Sequence, residues 1–152
     1  MLKMSRIEKM FNLRTLDDAQ LKISLINKIS LDNVCFFYEV MKHYCCYKHS
    51  DIFVLNFIQE WFCLLLENNK HLDMSCHSVK DVLSNSGLNI STEIDIFNAG
   101  DGWIKHDPKE RSKFALEIIK LVRLPLISST SLDSLLKTEN SFSKCLSSNE
   151  YI

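Results

Sequence analysis

Apolar residues recur along this chain at helical spacing. Leu16, Ala19, Ile23 and Ile26 lie three to four apart, which predicts an amphipathic helix over 16–29. The stretch Ser30 to Asn33 then breaks the pattern, with Asp32 and Asn33 as cap formers for the next helix. Asn33 to Cys46 is apolar on most sides, as a helix is when it is buried or offers a face to a partner. Ser50 or Asp51 caps a helix over 51–67 with the stripe Phe53, Phe57, Trp61, Leu64 and Leu65, and residues 68–75 form a loop. Ser75 caps a short helix with Val79, Val82 and Leu83 inward, ended by Gly87 in the left-handed conformation.

The second half has sharper punctuation. Thr92 and Asp95 have the spacing of a capping box, and Ile96, Phe97, Trp103 and Ile104 line the helix that follows. His106-Asp107-Pro108 closes it, because the residue before a proline resists helical torsions. Pro108 suits the first turn of the next helix, whose stripe is Phe114, Ala115, Ile118 and Val122, and Pro125 stops that helix. Arg123 falls in its expected last turn, where a cation complements the helix dipole. A last short helix spans about 132–137, and residues 138–152 are expected to be a Ser-rich flexible tail. Three glycines and two prolines are too few for an all-β chain. The pattern predicts an all-α single domain of six to seven helices.

The 152 residues are 46% hydrophobic and 24% charged, the balance of a folded chain with a real core. A net charge of −1 gives no footprint for nucleic acid. The longest apolar run, Trp61 to Leu66, is too short to span a bilayer, so no membrane partner is expected. Six cysteines without a C-x-x-C pair fit a reducing compartment, cytoplasm or nucleus. His43, Cys46, Cys76 and His77 could be imagined as a metal set or a Cys–His nucleophile pair. They lack the spacing of two clean ligand pairs and any base-orienting third group, so no metal, cofactor or catalytic residue is expected.

The stretch from Ser91 to Ser128 closely resembles the second half of the BACK domain, the helical region between the BTB domain and the Kelch propeller in BTB–Kelch proteins. Glu93, Phe97, Ala99, Trp103, His106, Asp107, Arg111 and the run Val122 to Leu126, with Arg123 and Pro125, carry the match. Asn33, Tyr38, Tyr44, Cys46, the stretch Phe57 to Phe62 and Leu88-Asn89 agree more loosely, so the likeness covers about 31–137. It implies helical hairpins and a non-enzymatic scaffold in cullin-3 ubiquitin ligases, whose BTB domain and first BACK helices dock cullin-3. Helices 33–46 and 51–66 would supply that surface, with Phe36, Phe37, Tyr44 and Tyr47 as candidate anchors. The same aromatics could equally be core. Neither a BTB domain nor a Kelch propeller is recognisable, and the helix at 16–29 could stand in for the last BTB helix. The chain therefore reads as an adaptor-like scaffold, a competitor of full-length adaptors or an orphan structural module. An uncovered apolar face could cause self-association or pairing with a BTB-containing protein. Gly100-Asp101-Gly102 departs from the family, which has apolar residues at the first two positions. It is read either as relaxed constraint or as a kink or close helix approach.

Overall fold

A computed structural model describes residues 27–43 and 50–143 together with Ile23. Most of the helix expected over 16–29, and Tyr44 to His49, lie outside the described residues. The rest is helical, with no strand among the described residues, as the apolar spacing predicts. The elements are α1 (Val34–His43), α2 (Ser50–Glu60), α3 (Phe62–Glu67), α4 (Cys76–Leu83), α5 (Glu93–His106), α6 (Pro108–Arg111), α7 (Ala115–Ile119) and α8 (Ser129–Lys137). Short 3-10 turns at Ser112–Phe114 and Leu124–Leu126 precede α7 and α8.

Two groups of helices share one apolar core. In the first, α1 packs most extensively on α2, and α4 touches both. Val34, Phe37, Tyr38 and Met41 turn inward from α1, meeting a core that includes Val54 and Ile58 of α2 and Val79 and Val82 of α4. In the second, α5 packs on α6 and α7. Its stripe of Ile96, Phe97, Trp103 and Ile104 is buried as expected, with Ile118 and Ile119 of α7 in the same cluster. Ser75 caps α4 by accepting the Ser78 N–H at 3.2 Å. At the start of α5, Asp95 Oδ2 accepts the N–H groups of Thr92 at 3.1 Å and Ser91 at 2.9 Å.

Several expectations need correction. The helix predicted over 51–67 is broken at Trp61, whose φ and ψ are −104° and 18°. Two carbonyls lost from the helical ladder are recovered by Asn89. Its N–H donates to Gln59 O at 2.9 Å and its Nδ2 to Glu60 O at 3.2 Å, while Cys63 Sγ donates to Asn89 O at 3.0 Å. Backbone carbonyls freed at a helix break take another donor, and an asparagine far along the chain supplies one. The Asn33 side chain does not accept the free N–H groups of α1. Its Oδ1 accepts from Ser30 N at 2.9 Å and its Nδ2 donates to Lys28 O at 2.9 Å, closing the preceding turn. Gly87 is not left-handed. Asn85 closes a local turn instead, its Oδ1 accepting the Gly87 N–H at 2.8 Å.

The helix after Pro108 is three short pieces and ends at Ile119, so Arg123 lies outside it with φ −79° and ψ 73°. The tail expected from residue 138 is also wrong at its start, because Phe142 is fully buried in the core.

Candidate protein-interaction site

The motif half of the chain is built outward from Trp103. The ring is buried, and its Nε1 donates to Met74 O at 2.8 Å, so the indole's one polar group is satisfied. Arg111 lies over the ring with its guanidinium carbon 4.3 Å from the centroid. Its Nη1 donates to Leu72 O at 2.7 Å and to Trp103 O at 2.9 Å. One tryptophan and one arginine thus pin the 68–75 loop to α5, and the fixed guanidinium fork is what suits Arg to this place. Asp107 caps α6, its Oδ1 accepting the Glu110 N–H at 3.4 Å. His106 is half-exposed, with Nε2 3.7 Å from Asp73 Oδ1.

Arg123 has a different partner from the helix dipole. Its Nε donates to Oε1 of buried Glu93 at 2.7 Å, its Nη2 pairs with the same oxygen, and its backbone N–H donates to Oε2 at 3.1 Å. A carboxylate is tolerated in that buried position because each oxygen accepts a bond there. Pro125 opens the 3-10 turn that follows. The sequence named Glu93 as a motif residue but gave no sign of this pairing, since thirty residues separate the two.

The same half contains a group the sequence did not flag. His71 is 6% exposed, and its ring lies against the backbone of Ala99. Burial holds its pKa down at about 4, so the ring is neutral.

The α1–α2 region is different in kind. Phe37 is 2% exposed and belongs to the core, so it offers no docking surface. Its neighbour Phe36 is 39% exposed, with ring centroids 6.1 Å apart. Trp61 at the helix break is 43% exposed beside Phe57, at 6.3 Å. Tyr44 and Tyr47 lie outside the described residues. The helices that hold this face are cross-tied: Lys42 Nζ is 2.7 Å from Asp81 of α4. Glu39 Oε1 accepts the Ser75 N–H at 2.6 Å.

Of the imagined set His43, Cys46, Cys76 and His77, Cys46 lies outside the described residues, and Cys76 and His77 sit at the start of α4. Among the described residues, no group of three His, Cys, Asp or Glu could hold a metal ion. His77 lies 3.7 Å from Asp81, and the Cys76 thiol is pushed up chiefly by burial. The Cys35 thiol is pushed up to about 12, by burial first and then by the Glu39 carboxylate. These thiols are held away from the thiolate that a nucleophile needs. Among the described residues no helix is long and apolar enough to cross a membrane.

Comparison with known proteins agrees with this geometry. The sequence model of the family BACK, "BTB And C-terminal Kelch", matches residues 34–137. The chain is 33% identical to Kelch-like protein 28 of Mus musculus over 72 residues, which is 47% of this chain and 13% of that protein. The human Kelch-like protein 28 is 32% identical over the same length and shares. Kelch-like protein 7 of Rattus norvegicus is 29% identical over 84 residues, 55% of this chain and 14% of that protein. No solved structure matches. The chain belongs to the BACK family, a non-catalytic module of Kelch-like proteins, and it spans about a seventh of the length of the curated relatives it matches.

Proposed function

We propose that this chain is a protein-interaction scaffold of the kind that serves cullin-3 ubiquitin ligases, and that α1 and α2 supply its docking face. One observation carries the reading. Trp103, Arg111, Glu93 and Arg123 of the motif half are committed to holding its elements together, whereas α1 leaves Phe36 at the surface beside buried Phe37. Large aromatics that are partly exposed on a rigid helix are the commonest anchors of interfaces. Glu39 and Lys42 tie α1 to Ser75 and to α4, so the face is pre-organised and little ordering is needed on binding.

The resemblance to BTB–Kelch adaptors supports cullin-3 as the partner, with a BTB-containing protein as a second candidate to complete the face. Titration calorimetry of the full chain with the cullin-3 N-terminal region tests the reading. Micromolar or tighter binding is the expected result. A folded chain that shows no heat of binding would overturn the ligase role and leave a structural module without that partner.

A further inference from the structure

The departure at Gly100-Asp101-Gly102 has a partner forty residues away. Residues 138–143 form a turn that closes on itself. Asn140 Nδ2 donates to Leu135 O at 2.7 Å and Thr138 O at 3.0 Å, and its Oδ1 accepts the Phe142 N–H at 3.0 Å. Ser143 Oγ donates to Asn140 O at 2.9 Å. This turn presents one backbone N–H and one aromatic ring to α5. Ser141 N–H donates to Asp101 Oδ1 at 2.6 Å. Asp101 Oδ2 is held by Lys105 Nζ at 2.7 Å, and the same ammonium reaches Glu139 O at 3.3 Å. The Phe142 ring meets Phe97 edge-on, with centroids 5.0 Å apart. It reaches the helix because residue 100 has no side chain: a Cβ there would lie 3.2 Å from Phe142 Cζ and 2.5 Å from Ile118 Cγ2.

We infer that residues 139–143 are a strap received by α5 through Asp101 and the Gly100 gap, and that the strap opens and closes as a unit while the helices stay folded. Phe142 is its one fully buried side chain, and Glu139 at its start is exposed. The backbone at Thr138 is extended, with φ −86° and ψ 145°, so α8 ends there and the strap is not a continuation of the helix. A short segment held by one ring and by polar contacts that are part-buried or exposed opens at lower free energy than the core beneath it. Asp101 is thus a receptor residue, which accounts for a carboxylate at a position where the family has an apolar side chain.

Amide hydrogen exchange of the full chain, read by mass spectrometry, tests this. In the wild type, peptides covering 139–143 should exchange at least tenfold faster than those of central α5. Asp101→Ala should speed the strap at least tenfold further and leave α1 and α4 unchanged. Lys105→Met, on an exposed side chain that cannot unfold the helix, should speed it two- to threefold. Strap and α5 exchanging together in the wild type would overturn the inference, because the segment would then be part of the cooperative core. So would strap exchange that neither substitution changes.

Discussion

The two halves of this molecule both bury aromatics, but only one of them also leaves large rings partly exposed. From Glu93 to Leu126, where the family resemblance is densest, Trp103, Arg111, Glu93 and Arg123 satisfy one another or nearby carbonyls. From Asn33 to Glu67, where the resemblance is looser, Phe36 and Trp61 stay partly exposed. The difference teaches that a conspicuous motif need not be a binding site. A bundle of short helices needs specific locks at its corners, and such locks demand particular residues at particular spacings. An interaction face asks only for exposed apolar area on a rigid support, which many sequences supply.

If the motif is a lock, breaking it should cost folding free energy. Trp103→Ala should be the most damaging substitution, at about 4 kcal/mol in chemical denaturation. It removes a buried ring, strips the Met74 carbonyl of its donor and takes away the surface on which Arg111 rests. A loss below about 1 kcal/mol would show that the corner does not depend on the ring.

The next effect is one of pH. His71 is neutral in the fold, with a pKa of about 4 against an ordinary 6.5. As pH falls from 6.5 to 4 the unfolded chain takes up a proton that the folded chain refuses, so stability declines across that window and this contribution levels off below it. The difference amounts to about 3 kcal/mol at most. His71→Phe should flatten the wild-type slope between pH 6.5 and 4, as seen by urea midpoints at several pH values. Equal slopes in both proteins would remove His71 from the account.

The two glycines of α5 give a finer contrast. Gly100→Ala should destabilise by about 1–3 kcal/mol, because the new methyl meets buried Ile118. Gly102→Ala should stabilise by about 0.5–1 kcal/mol, since its nearest neighbour would be His71 Nε2 at 3.9 Å and a helix-interior glycine is replaced. Thermal melts of the pair give the two signs directly. Of the two sequence readings, close approach therefore describes Gly100, and neither a kink nor a close approach is needed at Gly102.

What could be read from the sequence was local. The Ser75 cap, the Asp95 bonds at the start of α5, the Pro108 turn and the apolar stripe of α5 follow from residues a few positions apart, and each is found where expected, whereas Trp61 of the α2 stripe is exposed. The misreadings come from contacts across the chain. Nothing near Trp61 shows that Asn89 will donate to the carbonyls freed by the broken helix. Nothing near Arg123 shows a buried carboxylate at Glu93. The burial of Phe142 depends on a gap at Gly100, and the Ser-rich composition around it pointed the other way. The proposed docking face was half legible: helical periodicity cannot say which of two adjacent phenylalanines faces out, and burial shows that it is Phe36.

The most direct test sets one exposed residue of each half against the other in the same binding experiment. Phe36→Ala and His106→Ala should both leave the melting temperature of the chain near the wild-type value. In titration calorimetry with the cullin-3 N-terminal region, Phe36→Ala should weaken binding at least tenfold and His106→Ala should not change it. Binding that is lost with His106→Ala and kept with Phe36→Ala would contradict the account, because the motif corner would then be the docking surface.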